Sequence, residues 1–381
     1  MKTVDELAAS LGPVLFRELD LWRVAIPMTE PFRISSGEVS NKEALVVRAS
    51  DGTAFGWGES SSMPGSFYSA ETPDTCHQEL VGRVLPALAG RAFRSLAELN
   101  EFLKEFTPAA FVRVAIETAA WEMMARGRGL SLRALLGLEE RPIPSGLAVG
   151  LYDTEDQLCA AIRRWGPQPY QRLKIKIKRG QDVALVRRVR REFGDIPLFV
   201  DANADYTRED FAVLRELDAY KLMMFEQPLA KHDLEASAEL QRQVRTPVCL
   251  DESIESAEDA RKALDMGACR IINIKIQRVG GFLEALRIAE VCAARGVPAW
   301  MGTMPELGIG SVQAWMLAAH PAFQFPSDVE SSARWFSDDL VQPALVVSSD
   351  GCLHGPAAPG LGFEVDRAKL ECYATARAHF S

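Results

Sequence analysis

The sequence predicts an α/β protein, a TIM-type barrel preceded by an α+β capping domain, and two observations carry this. Between Ile143 and Asp328, eight short β-branched runs alternate with amphipathic stretches long enough for helices. That pattern describes a parallel sheet with helical crossovers, and eight strands are the number that closes such a barrel. Before Ile143 the texture differs: strand-like segments come first and helical ones follow, without alternation, as in an α+β unit. The chain's 381 residues also exceed the ~250–300 at which one hydrophobic core stops growing. The expected division is a cap over 1–140, a barrel over 141–345 and a tail, 346–381, that packs back on the cap.

In order, Leu19 to Ile26 and Ala44 to Ala49 have strand-like Val, Leu and Ile content, and Asp51-Gly52 turns the chain into Ala54 to Glu59, giving an antiparallel meander. Ala109 to Arg126 is rich in Ala, Met and Glu at helical spacing and is stopped by Gly127 and Gly129. The eight runs are IPSGLAVG, RLKIKI, PLFVD, LMMFE, TPVCLD, RIINIK, VPAWM and FQFPSD. An open doubly wound sheet would need a strand-order reversal and more often carries a nucleotide-binding glycine-rich turn, which is absent. Leu307 to Ser327 lacks Lys, Arg, Asp and Glu for 21 residues, but Gln313, His320, Pro321, Gln324 and Pro326 interrupt it. It reads as a buried helix followed by a short strand, not a bilayer span.

Composition excludes several classes. The net charge of −9 and the lack of a basic run argue against a nucleic-acid partner. The N-terminus carries acids early and no apolar core of a signal peptide. Seven scattered cysteines without a CxxC pair read as reduced packing residues in a cytoplasmic protein, with no membrane partner.

The chemistry lies in the ionisable residues that end the runs: Lys176, Asp201, Glu226, Asp251 and Lys275, at spacings of 25, 25, 25 and 24. In a parallel barrel, C-terminal strand ends share one mouth, where active sites lie. Three carboxylates packed together repel one another, so a hard divalent cation is the economical reason for their coexistence. Oxygen-only ligation suits Mg²⁺, with Mn²⁺ as a substitute, whereas Zn²⁺ usually recruits His or Cys. Asn203 adds a carbonyl oxygen or orients the substrate. Lys176 and Lys275 flank the row, placed to reach two faces of one carbon of a small carboxylate substrate. This suits proton abstraction next to a carboxylate whose ene-diolate the cation neutralises. Lys174 shares the Lys176 face by the period of two and can lower its pKa.

These residues resemble the enolase superfamily and, within it, the muconate lactonizing enzyme subgroup, over nearly the whole chain. The motifs are Leu173-Lys174-Ile175-Lys176, Val200-Asp201-Ala202-Asn203, Phe225-Glu226-Gln227-Pro228, Leu250-Asp251-Glu252-Ser253 and Asn273-Ile274-Lys275. The resemblance implies a (β/α)7β barrel under an α+β cap, Mg²⁺ on Asp201, Glu226 and Asp251, and Lys176 and Lys275 acting on the substrate. It also implies a homo-oligomer. Within the subgroup, Arg278-Val279-Gly280-Gly281, Gly302 to Gly310 with Glu306, and Pro326-Ser327-Asp328 are similar to the o-succinylbenzoate synthases and N-succinylamino acid racemases. Gly56-Trp57-Gly58-Glu59 and Met63 to Ser69, including Tyr68, resemble the cap strand and loop over the substrate. Lys174, Asn203, Glu252, Arg278, Glu306 and Tyr68 are thus the expected substrate-binding or supporting residues. Ile276-Gln277 stand in place of the usual Pro-Gly, Arg179 in place of a Pro and Pro305 in place of a Leu. These departures touch the pocket wall and bear on substrate identity, not on reaction class.

The implied activity is dehydration of 2-succinyl-6-hydroxy-2,4-cyclohexadiene-1-carboxylate to o-succinylbenzoate, a step of menaquinone synthesis. The alternatives are racemisation of N-succinylamino acids, then muconate cycloisomerisation or dipeptide epimerisation. A different class is a barrel that binds without catalysis, against which the intact acids and lysines argue. Gly308-Ile309-Gly310-Ser311 raises a phosphate-binding barrel, a weak signal more simply read as a helix start.

Overall fold

Strand-forming residues in long alternating runs build the cap sheet. In the structure, a computed structural model that describes residues 3–34, 37–65 and 68–381, β1 (Glu18–Ile34), β2 (Gly37–Ser50) and β3 (Phe55–Ser60) form the antiparallel meander. β1 runs past the expected Ile26 because pairing with β2 resumes at Phe32 after a register shift that follows Pro27. That extension brings Phe32 and Ile34 to the barrel mouth. Helix α1 (Ala110–Gly127) lies across β3 and is buried along most of its length. Gly56 and Gly58 make the approach possible, since a Cβ on either would run into the backbone carbonyls of Ala119 and Ala115.

The barrel is laid down in chain order. Strands β4 (Leu147–Val149), β5 (Leu173–Lys176), β6 (Leu198–Asp201), β7 (Phe225–Glu226), β8 (Val248–Leu250), β9 (Ile271–Ile274) and β10 (Ala299–Met301) pair in parallel, each with its sequence neighbour. The crossovers are α2 (Glu155–Trp165), α3 (Val183–Phe193), α4 (Phe211–Leu217), α5 (Leu234–Gln243), α6 (Ala257–Asp265), α7 (Phe282–Ala294) and α8 (Gly308–Leu317). The eighth run closes the ring without becoming a regular strand. Phe323 bridges Ala299, Ser327 bridges Ser145, and the Asp328 amide donates to the Met301 carbonyl at 2.9 Å. Pro326 has no N–H to give a ladder, which explains the interruption. The first run is also shorter than expected, because Ile143–Pro144 pair antiparallel with Cys352–Leu353 instead.

Below the mouth, Phe199, Met224, Cys249, Ile271 and Trp300 fill the barrel interior with an apolar layer. Strand β11 (Ala374–Phe380) pairs antiparallel with β1 and completes a four-stranded cap sheet. Cap and barrel interlock through Glu117 of α1, which is buried and accepts the Phe282 and Leu283 amides at 2.8 and 2.9 Å, so the cap closes the N-terminus of barrel helix α7. No described helix is long and apolar enough to cross a membrane, and α8 is the buried helix expected after Leu307. Its glycine-rich start offers nothing to phosphate: Glu59 takes the Leu307 and Gly310 amides, and Asp339 takes that of Gly308.

Candidate active site

Parallel pairing in step turns the 25-residue spacing into proximity. Lys176 pairs with Asp201, and Asp201 with Glu226, across β5, β6 and β7. Asp251 and Lys275 stand one residue beyond β8 and β9. The three carboxylates have no solvent exposure, and Lys174, Lys176 and Lys275 are almost as buried.

The polar groups form one network. The Lys176 ammonium donates to Asp201 Oδ2 at 2.5 Å and to Asn203 Oδ1 at 2.9 Å. Lys174 bridges Asp201 at 3.0 Å, Glu226 at 2.7 Å and Asp328 at 3.1 Å. Asp251 pairs with Lys275 at 3.0 Å and Arg278 at 2.6 Å. Asn203 has a positive φ of 43°, a conformation that Asn tolerates better than most residues. This turn lets its amide reach Glu252 Oε1 at 3.0 Å while its carbonyl oxygen accepts from Lys176. Tyr68 comes from the cap, its hydroxyl 3.5 Å from both Lys275 Nζ and Arg278 Nη1.

Burial and charge act against each other here. Burial penalises every ion, yet Lys176 and Lys174 hold Asp201 well below the usual carboxylate range, and Arg278 and Lys275 lower Asp251. Glu226 goes the other way, pushed up by burial and then by the Asp201 charge. Burial, with Asp251 and Asp201 adding to it, pushes Glu252 up to about 7. Lys174 shares the Lys176 face, but its own ammonium is held charged: burial opposes this and the Asp328, Glu226 and Asp201 carboxylates outweigh it. Lys275 is likewise raised, mainly by Asp251 against burial.

Among the described residues no three acidic, His or Cys side chains stand together as a ready metal cage. The donor set nevertheless suits a hard cation. Glu226 Oε2, both Asp251 oxygens and Glu252 Oε2 are buried without a hydrogen bond of good geometry. The ammonium and guanidinium groups near Glu226 and Asp251 satisfy them by charge, not by directed bonding. Buried carboxylate oxygens left without a directed bond suit a divalent ion with oxygen ligands, and Lys174 occupies Asp201 and Glu226 in its place.

Above the network lies a narrow cleft. Its floor is Lys174, Lys176, Asn203, Lys275 and Asp328, and its roof is Phe32, Ile34, Met63, Tyr68, Pro305 and Trp335. Ser66 and Phe67 of the cap loop motif lie outside the described residues. Glu306 is not in the cleft lining. It is buried where the cap meets the barrel, near Lys42 and Glu59, and accepts the Met304 amide at 3.1 Å. Sequence reasoning missed Phe32, Ile34 and Trp335, which have no pattern that marks them. It also passed over two side chains inside its own motifs. Asn273 donates to Glu226 Oε1 at 2.8 Å, and the Gln227 side chain ties the end of β7 to the Asp251 amide at 2.9 Å and the Ser253 hydroxyl at 2.8 Å. Gln227 directly follows Glu226, and Asn273 stands two residues before Lys275 on the same strand face; those places were the signal.

Comparison with known proteins agrees with this architecture. Residues 17–137 match the mandelate racemase/muconate lactonizing enzyme N-terminal domain, and residues 154–369 match the enolase C-terminal domain-like family. The chain is 41% identical over 369 residues to o-succinylbenzoate synthase of Geobacillus kaustophilus, covering 96% of each. It is 41% identical over 345 residues to N-succinylamino acid racemase of Amycolatopsis sp, covering 90% of this chain and 93% of that one. The crystal structure of an enolase superfamily member from Listeria innocua superposes with a TM-score of 0.90 at 34% identity, covering 96% of this chain and 99% of that one. A barrel mouth of registered acids and lysines under an α+β cap, with both domain models matched in order, places this chain in the mandelate racemase/muconate lactonizing enzyme group of the enolase superfamily.

Proposed function

We infer that the site removes the proton next to a substrate carboxylate, and that the chain is an o-succinylbenzoate synthase. One observation carries the reaction class: Lys176 and Lys275 lie on opposite flanks of the acid row and line the same cleft. The similarity to several synthases at 35–41% identity carries the substrate.

Lys176 takes the α-proton of 2-succinyl-6-hydroxy-2,4-cyclohexadiene-1-carboxylate and returns it to the departing hydroxyl, so that o-succinylbenzoate and water leave. Asn203 holds the Lys176 amine by its carbonyl oxygen, and Lys275 with Arg278 presents positive charge to the ene-diolate as it forms. Asp201, Glu226 and Asp251 would hold a Mg²⁺ ion, or Mn²⁺ in its place, which would supply Lewis-acid charge beside the substrate carboxylate. These charged groups are buried, so they act in a medium where charge counts for more than in water.

The second reading is racemisation of N-succinylamino acids, favoured by the same two lysines on two faces and by the Amycolatopsis relative. Both reactions begin with one proton abstraction, and one site can serve both. A cytoplasmic setting goes with seven unpaired cysteines, five of them buried, and a homo-oligomer rests on the family resemblance alone. The test is a parallel assay with Mg²⁺, the cyclohexadiene substrate and a panel of N-succinylamino acids. Turnover of the first supports the synthase, turnover of the second alone makes the chain a racemase, and no turnover of either refutes both.

A further inference from the structure

We propose that Gln277 is a positioning residue that sets the cap segment Ser61–Gly65 over Lys275 and thereby the fit of the cleft to its substrate. The proposal rests on the two-lysine reading of the site.

The short helix Ile276–Val279 begins directly after Lys275, which is its N-cap. A helix turns about 100° per residue, so Lys275 and Arg278, three apart, can share one face while Gln277 points elsewhere. The contacts follow this geometry. Lys275 and Arg278 both pair with Asp251, whereas Gln277 leaves the barrel and enters the cap, where it is 1% exposed. Its Oε1 accepts the Ser61 amide at 2.8 Å, and its Nε2 donates to the Glu59 carbonyl at 3.0 Å. These are the two bonds that a neighbouring strand's backbone would make, so the side chain acts as one added rung at the end of β3.

The rung sits where the cap chain leaves its sheet. Ser61 is held in three further ways: its hydroxyl donates to Glu59 Oε1, its carbonyl accepts from Lys42 at 3.3 Å, and its neighbour Ser60 ends the pairing with β2. Two residues later Met63 lines the cleft, and Tyr68 touches both Lys275 and Arg278. Gln277 therefore ties the segment at Ser61 to the Ile276–Val279 turn, whose N-cap Lys275 lines the same cleft as Met63. Gln277 itself neither lines the cleft nor bonds to an acid of the network, so its effect on the reaction passes through the segment it holds.

The test compares full-length wild type with Gln277→Met, which keeps the volume and removes both polar groups, and with Gln277→Glu, which keeps the acceptor for the Ser61 amide. Amide hydrogen exchange is read at residues 59–65 without substrate, and KM and kcat are measured with the substrate that the wild type turns over. Wild type is expected to protect the Ser61 amide like a strand interior. In Gln277→Met, exchange at Ser61 speeds up by about tenfold relative to the barrel strands and KM rises by about tenfold with a smaller change in kcat; Gln277→Glu recovers part of both. A Ser61 amide that exchanges at loop rate in wild type overturns the proposal even if no variant folds. So does a Gln277→Met variant with a lower Tm but unchanged KM and unchanged relative exchange, which would make Gln277 merely structural. Absence of wild-type turnover on every substrate instead refutes the reading of the site, and the exchange contrast still decides whether Gln277 holds the segment.

Discussion

The floor and the roof of the cleft are built by different means. The floor residue Lys176 and the acids beneath it, Asp201 and Glu226, come from adjacent strands in lateral register, fixed by backbone ladders and buried beneath the mouth. The roof residues Phe32, Met63 and Trp335 come from a strand extension, a cap loop and a short helix after the barrel, joined by isolated contacts such as the Met28–Phe336 bridge and the edge-on Phe32–Trp335 contact at 5.0 Å, not by a continuous ladder. A scaffold that holds charges rigidly and covers them with replaceable apolar groups can keep its chemistry while its substrate changes.

If that contrast is right, substitutions in the floor cost reaction rate and those in the roof cost substrate fit. The largest effect is expected for Lys176→Ala: kcat should fall by about 10³-fold or more while titration calorimetry still detects Mg²⁺ binding. Turnover near the wild-type rate would remove Lys176 from its role as base. Lys275→Ala should abolish α-proton exchange in D₂O for one enantiomer of an N-succinylamino acid, and NMR that shows equal exchange from both would contradict the two-face arrangement.

Where the floor meets the cap, the effect falls on stability. Burial pushes the Glu306 carboxyl up to about 7, with Lys42 opposing and Glu59 adding to the rise. The folded protein thus holds a proton that the unfolded chain releases near 4.5, so this contribution is complete below about 4.5 and is lost as pH rises through about 7. Glu306→Gln should flatten that part of the stability curve by up to about 3 kcal/mol, measured by urea unfolding at several pH values. Parallel curves for the two proteins would mean that Glu306 is ionised throughout.

Phe32→Ala tests the roof directly. Loss of one half-buried aromatic face should raise KM by about tenfold and change kcat little. A large fall in kcat with constant KM would show that roof and floor are not separable. The smallest effect is expected at Val346, which is 58% exposed: Val346→Ser should shift stability by no more than about 0.5 kcal/mol in thermal unfolding.

The sequence made the barrel legible because each run and crossover repeats locally, and parallel pairing of successive strands converts that repeat into distance. Its limits also have local causes. The eighth run reads as a strand from its residues, but Pro326 denies it a ladder. Glu306 reads as a substrate-binding or supporting residue from its motif, and the partners near which it is buried, Lys42 and Glu59, lie some 250 residues earlier in the chain. Lys174 reads as a neighbour of Lys176 from the period of two, and the structure adds that its ammonium bridges Asp201, Glu226 and Asp328.

What the sequence determined by itself is therefore the barrel, its order and the chemical residues of its mouth, since periodic patterns and strand-end positions are properties of short stretches of chain. The roof, the rung made by Gln277 and the closing of α7 by Glu117 were decided only in the tertiary structure. Each joins segments far apart in sequence through single side chains, and no local periodicity records such a contact before the chain has folded.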